Sequence, residues 1–290
     1  MTTARTIDSA LKLATSRLAE AGIVEPRREA RILVGHAVRL DPRAVPITTE
    51  RPMDPDQWRQ FNNVLGRRCT RRPMAQVLGQ REFWSLNFEV SEDTLVPRPD
   101  SETLVEAVLD AFPSQTAAIR VLDMGTGTGC LLLSILSERP GAMGLGTDIS
   151  EAAVTIARRN ARRLGLDARS RFEIADWTAG IVGPFDLVIA NPPYICSAEI
   201  PSLEPEVGMF EPGLALDGGP DGLDCYRKIA ANCRDLMAPD GRIVLETGLG
   251  QAKTVTRILS AAELAVLTIR RDLAGIERCL VAQSGRLSGC

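Results

Sequence analysis

From Ile119 onward the chain repeats a unit of apolar strand, turn and helix, and that repetition limits the folds open to it more than any other feature. Residues 119–124 read as a strand, 125–129 as a turn and 131–138 as a helix. Residues 142–147 follow as a strand and 150–164 as a helix. Two more strands fall at 171–175 and 185–190, then a helix at 223–237 and a strand at 242–246. Strands linked through helices pair in parallel, so the pattern predicts a parallel sheet covered by helices on both faces. Residues 265–270 and 277–281 are strand-like with no helix between them and predict an antiparallel pair at one edge.

The chain before this region has another character. Ile7, Ala10, Leu11, Ala14 and Leu18 are spaced as one face of a helix, and Pro26 suits the first turn of a second. Asp54 is placed to cap a third helix that carries Trp58, Phe61 and Leu65 inward. The alternation Leu86, Phe88, Val90 predicts a β-hairpin. The expected division is a helical bundle over 1–75, a hairpin linker over 76–98 and an α/β domain over 99–290.

Composition removes several classes of function. Of 290 residues 44% are hydrophobic, yet no apolar run approaches the length of a membrane span, and the N-terminus lacks the pattern of a secretory signal. A cytoplasmic protein without membrane contact is expected. The seven cysteines lack paired spacing and the one histidine, His36, lies in an apolar helical stretch. A disulfide framework, a metal site and a Ser-His-Asp hydrolase are therefore not expected. The net charge of −3 is uneven: residues 1–80 hold 14 Lys+Arg against 8 Asp+Glu. Arg67, Arg68, Arg71 and Arg72 read either as a solvated helix end or as a docking face for an acidic protein or RNA.

Gly125-Thr126-Gly127-Thr128-Gly129 sits between a strand and a helix, where glycines permit a sharp turn and close approach of a ligand. Dinucleotide, flavin and adenosylmethionine proteins all use such a turn. Asp148 ends the next strand, where a carboxylate can accept from both ribose hydroxyls. Asp176-Trp177 follows the third, where a polar group can meet an adenine amine and an indole can cover the base. The Gly-x-Gly-x-Gly spacing departs from the dinucleotide Gly-x-Gly-x-x-Gly, and S-adenosyl-L-methionine has no diphosphate to seat, which favours the methyl donor over NAD.

Asn191-Pro192-Pro193-Tyr194 directly follows the fourth strand. Two prolines end a central strand at the sheet's carboxyl edge, where ligands of such sheets bind. The segment holds the Asn191 side-chain oxygen and the Pro192 carbonyl in fixed positions. A planar amide or exocyclic base nitrogen is a poor nucleophile because its lone pair is delocalised. Two acceptors that take its N–H groups orient the lone pair toward a sulfonium methyl and stabilise the charge that develops. Tyr194 is placed to pack over the planar group. The chemistry requires no strong general base.

Together with Arg81-Glu82-Phe83-Trp84, Pro97-Arg98-Pro99-Asp100-Ser101-Glu102, Phe210-Glu211-Pro212, Leu245-Glu246 and Arg271-Asp272-Leu273-Ala274-Gly275, these motifs make the chain resemble the HemK/PrmC family, the release factor glutamine N5-methyltransferases. The resemblance implies a Rossmann-like class I methyltransferase domain with a mostly parallel seven-stranded sheet. It implies that residues 125–129, Asp148 and Trp177 bind the cofactor, that Asn191 meets cofactor and glutamine, and that residues 192–194 line the substrate site. Asp176 joins the cofactor set by its place after the third strand. The implied substrate is the Gly-Gly-Gln glutamine of class I peptide chain release factors, docked on the N-terminal domain of a monomer, with no stable nucleic acid binding. Gln76 and Thr247 stand where relatives often carry a tyrosine and an aliphatic residue. Methylation of a ribosomal protein glutamine, or of an exocyclic amine of a nucleic acid base, is the alternative. A non-catalytic binding protein and an NAD oxidoreductase are further from the motifs.

Overall fold

The computed structural model describes residues 5–284. They form two compact units, one of residues 5–79 with Glu204–Phe210, the other of residues 80–203 with 211–284.

The first unit is helical: α1 (Ile7–Glu20), α2 (Pro26–Val38), α3 (Pro55–Cys69) and α4 (Met74–Leu78). Pro26 opens α2, and Asp54 caps α3 by accepting from Asp56 N and Gln57 N while the Gln57 side chain accepts from Asp54 N. The periodic residues Ile7, Leu18, Leu33, Phe61 and Leu65 are fully buried and form its core. The arginine cluster is engaged within this unit, with Arg68 buried and Arg67, Arg71 and Arg72 half-buried. Arg68 is buried, pairs with Glu29 at 2.6 Å and meets Glu206 at 3.1 Å; Arg71 pairs with the same Glu206 at 2.7 Å. Arg67 donates to the carbonyls of Gln76 and Val77, and the Arg72 guanidinium lies 5.1 Å above the Phe210 ring. These four cations hold α4 and the 204–210 segment on the bundle. Gln76 shares that work, donating to the Phe210 carbonyl at 3.0 Å, so its amide in place of an aromatic is structurally satisfied.

The second unit opens with a hairpin, β1 (Gln80–Phe83) and β2 (Leu86–Glu89), turning through Trp84 and Ser85, both at positive φ. Two non-glycine residues hold this left-handed turn because Trp84 N donates to Glu102 and the indole N–H to Glu138, each at 2.8 Å. Phe83 and Phe88 are buried edge-to-face in the α/β core, so the hairpin is part of this unit.

The remaining elements are α5 (Glu102–Ala111), β3 (Arg120–Met124), α6 (Cys130–Glu138), β4 (Met143–Asp148), α7 (Glu151–Arg163), β5 (Ser170–Ile174), β6 (Phe185–Ala190), α8 (Pro205–Gly208, in the first unit), α9 (Asp224–Cys233), β7 (Met237–Glu246), α10 (Ala252–Ala261), β8 (Leu264–Arg271) and β9 (Glu277–Ser284). The sheet order is β5-β4-β3-β6-β7-β9-β8, parallel through β7, with β9 and β8 antiparallel as expected. Strand residues alternate between two cores: Val121, Leu187 and Val244 pack with α5, α6 and α7, whereas Leu122, Val188 and Ile243 pack with α9 and α10. The expected helix over 223–237 ends earlier, at Cys233, and Met237 already pairs with Phe185 as strand.

Candidate active site

β3 and β6 are neighbours in the sheet though not in the chain, which makes the gap between them the switch point where ligands of such sheets bind. Met124 pairs with Ala190 in register, so the glycine turn and Asn191 leave the sheet side by side. Above them lies a cavity of about 640 Å³, walled by Gly125, Thr126, Gly127 and Thr128 with Asp148, Asp176, Trp177, Asn191 and Pro193. Gly129 does not line it. It sits at φ +81° where a Cβ would press on Leu133, Ala157 and Phe172, and so brings α6 against α7.

The glycine turn is fixed by its own polar groups. Thr126 Oγ1 donates to Asp123 Oδ2 at 2.6 Å, and Thr126 N donates to Thr147 O. Burial pushes the Asp123 carboxyl up to about 7, against the Thr126 bond and one from Leu132 N in the first turn of α6. Asp148 Oδ2 accepts from Gly127 N and Oδ1 from Ser150 N, both at 2.9 Å. Burial raises its pKa while these N–H groups oppose the shift. Each oxygen keeps a lone-pair site for a further donor, which suits a ribose diol. Trp177, at φ +54°, carries its ring to 3.7 Å from where a Cβ on Gly125 would stand, so the indole closes the cavity over the turn.

Asn191 is half-buried in the cavity wall beside the glycine turn, with Nδ2 donating to Ser101 Oγ at 3.1 Å. Ser101, in the turn before α5, donates to Glu246 Oε2 at 2.5 Å. Glu246 ends β7 and is buried, and burial pushes its carboxyl up to about 7. Pro192 is buried and Tyr194 half-buried, and neither lines the cavity. The Tyr194 hydroxyl lies 3.4 Å from Glu246 Oε1. Burial and that carboxylate push the phenol up to about 12, so it stays a donor. The turn's backbone is clamped as well. Gln251 Nε2 donates to Tyr194 O at 2.9 Å, and a Cβ on Gly218 would fall 2.8 Å from Tyr194 Cα.

Ser101, Glu246, Gln251 and Gly218 were not singled out as site residues from the sequence. Glu246 had a usable signal, a charged side chain ending a buried central strand at the same sheet edge as Asp148 and Asn191. Gln251 and Gly218 had none, because they act on the turn through backbone contacts made only in three dimensions.

Among the residues lining the cavity, Glu92, Asp93, Asp148, Asp176, Asp217 and Asp224 stand against the cations Arg98 and Lys228. Arg98 is held by the buried Glu211 at 2.7 Å. The wall therefore suits a ligand with net positive charge that also carries a carboxylate, and it fits S-adenosylmethionine.

A parallel seven-stranded sheet with an antiparallel last pair, a glycine turn after its first strand and an amide corner across the switch point define a class I, S-adenosylmethionine-dependent methyltransferase. Residues 9–79 match the PrmC N-terminal domain family and residues 115–265 a methyltransferase domain family. The release factor glutamine methyltransferase of Rhodospirillum rubrum is 49% identical over 92% of this chain and 82% of its own length. That of Cereibacter sphaeroides is 43% identical over 94% and 97%. A solved methyltransferase from Pyrococcus furiosus shares the fold at 19% identity, with a TM-score of 0.51 over 69% of this chain and 89% of that one. The chain belongs to the release factor glutamine methyltransferase family.

Proposed function

We propose that this protein methylates the side-chain amide nitrogen, N5, of the glutamine in the Gly-Gly-Gln motif of class I peptide chain release factors. The observation that carries this reading is the Asn191 amide, set in the cavity wall beside the glycine turn with its nitrogen already engaged by Ser101. That leaves Oδ1 as an acceptor for a substrate N–H. An acceptor so placed suits a substrate NH2 group, and a second acceptor at the Pro192 carbonyl would match its second N–H, which a hydroxyl or a thiol lacks.

When bound, S-adenosylmethionine supplies an electrophilic methyl on a sulfonium sulfur. Residues 125–128 would admit it closely, with Gly129 packing α6 behind the turn; Asp148 would accept from the ribose hydroxyls, and Asp176 and Trp177 would hold the adenine. Arg98 pairs with the amino-acid carboxylate. Asn191 Oδ1 would take one N–H of the glutamine and the Pro192 carbonyl, at the peptide bond to the cavity-lining Pro193, the other; together they would turn the lone pair toward the methyl and stabilise the positive charge that grows on nitrogen. The surplus proton leaves to solvent. Pro193 and Tyr194 keep this corner rigid. The helical domain, residues 1–75, docks the release factor through surfaces other than the arginine cluster, which is engaged internally. The protein acts as a cytoplasmic monomer without stable nucleic acid binding.

The test is mass spectrometry of a release factor and of its Gly-Gly-Gln peptide after incubation with enzyme and labelled donor, with ribosomal protein, rRNA and DNA in parallel. One methyl on the glutamine is expected. Label entering nucleic acid or ribosomal protein and sparing the release factor overturns the reading.

A further inference from the structure

An asparagine amide has nearly the same shape at its two ends and opposite polarity, so its value in this site depends on which end faces the cavity. We propose that Glu246, acting through Ser101, sets that polarity: as a carboxylate it holds the Asn191 oxygen toward the substrate, and protonated it releases the amide to turn its NH2 inward. The proposal rests on the amide-transfer reading above and deepens it.

The geometry is a chain of single contacts in a dry place. Ser101 and Glu246 are 3% and 1% exposed, so bulk water does not compete for their hydrogen bonds. Ser101 Oγ lies 2.5 Å from Glu246 Oε2 and 3.1 Å from Asn191 Nδ2. A serine hydroxyl has one proton to give, and an ionised carboxylate can only accept. With Glu246 ionised, Ser101 must donate to it and is left as an acceptor toward Asn191. Nδ2 then takes that place and Oδ1 faces the cavity. A proton on Glu246 Oε2 reverses the order: the carboxyl donates to Ser101, the hydroxyl turns to Asn191, and the amide oxygen is the end that satisfies it. The NH2 then points at a substrate N–H, donor against donor.

The groups around Glu246 leave both states within reach. Arg278 on β9 favours the carboxylate and Asp100 opposes it. The Tyr194 hydroxyl bonds Oε1, and Tyr226 from α9 donates to the Glu246 carbonyl at 3.0 Å. Cys130 of α6 and Cys279 of β9 sense the carboxylate with thiols that burial keeps neutral. Burial outweighs the stabilising contacts and brings the carboxyl up to about 7. Glu246 is thus a positioning residue whose protonation falls in the working range of pH.

The experiment measures kcat with Gly-Gly-Gln peptide at saturating donor from about pH 5.5 to about pH 9, alongside the donor Kd by calorimetry. The wild-type rate is expected to rise about tenfold through a midpoint near 7. Glu246→Gln is expected to lose that limb and run about tenfold slower or more at the alkaline end, with the donor Kd within about threefold of wild type. Ser101→Ala should lose the limb and Ser101→Thr, which keeps the hydroxyl, should restore it. The serine pair tests the same chain if Glu246→Gln does not fold. A limb that survives Glu246→Gln or Ser101→Ala overturns the proposal. So does a fall in rate matched by an equal loss of donor affinity, which marks a merely structural role. Failure of the wild-type protein to methylate the peptide overturns the functional reading and this proposal with it; transfer with the limb unmoved by the variants overturns this proposal alone.

Discussion

Asn191 and Asp148 face the same cavity and are held by different means, so their loss should be felt differently. Asn191 is tethered by one side-chain bond from its nitrogen to Ser101, which leaves its oxygen as the acceptor that the proposed reaction uses. Asn191→Ala is expected to lower kcat by about 10²-fold or more while leaving the donor Kd nearly unchanged, since a preorganised partner of the reacting nitrogen is removed. Near-normal turnover would show that another group orients the amide. Asp148 spends part of its carboxylate on Gly127 N and Ser150 N. Asp148→Ala is expected to weaken donor binding by about 1–3 kcal/mol, as the ribose hydroxyls and the Gly127 amide lose their acceptor. An unchanged dissociation constant in calorimetry would remove Asp148 from the site. Thr247, unusual for its position, is accounted for by its hydroxyl, which donates to the Glu277 carbonyl.

At the scale of elements, the Asn-Pro-Pro-Tyr turn is rigid because other segments brace it, and its prolines are only part of the reason. Leu216–Gly222 runs alongside it: Gly218 N donates to Ile195 O at 2.9 Å, and Ser197 N donates to Gly219 O at 3.0 Å. Gly222 sits at φ +72° with its α-carbon facing the Tyr194 carbonyl, in a space no side chain can share. Gly222→Ala is expected to push the turn outward and cut kcat by about tenfold or more, because displacements of about an ångström at a reacting group are that costly. Unchanged turnover with an unchanged melting temperature would mean that the turn tolerates the shift. The hairpin offers a parallel case. Asn160 on α7 accepts from Glu89 N and donates to the carbonyls of Glu89 and Thr128, tying β2 to the glycine turn through one buried amide.

For the whole molecule, the costly feature is a pair of buried acids under one site. Asp123 and Glu246 both have their carboxyls pushed up to about 7 by burial, from ordinary values near 4. Between about pH 4 and about pH 7 the folded chain therefore binds protons that the unfolded chain has released, and stability falls as pH rises through that window. The cofactor-free protein is expected to melt at a lower temperature near pH 8.5 than near pH 6, and Asp123→Asn should reduce the difference to the part that Glu246 supplies. A melting temperature that rises over the same interval would refute this assignment. The cost sits where charge is used, which is common for sites that keep polar groups dry.

The sequence by itself determined the parallel α/β sheet, its antiparallel edge pair, the helical bundle before it, and the two turns that flank the ligand. Each depends on local rules: the period of the apolar residues, glycines where the chain turns sharply, and prolines that end a strand. Tertiary structure decided which partners those turns would have. Ser101 reaches Asn191 across 90 residues and Glu246 across 145. Arg68 finds Glu206 across 138, which converts an apparent basic surface into an internal clamp. Such pairings depend on strand order and burial, quantities that exist only once the sheet has assembled. No local pattern announces which of many carboxylates will be carried into the dry interior beside a given hydroxyl.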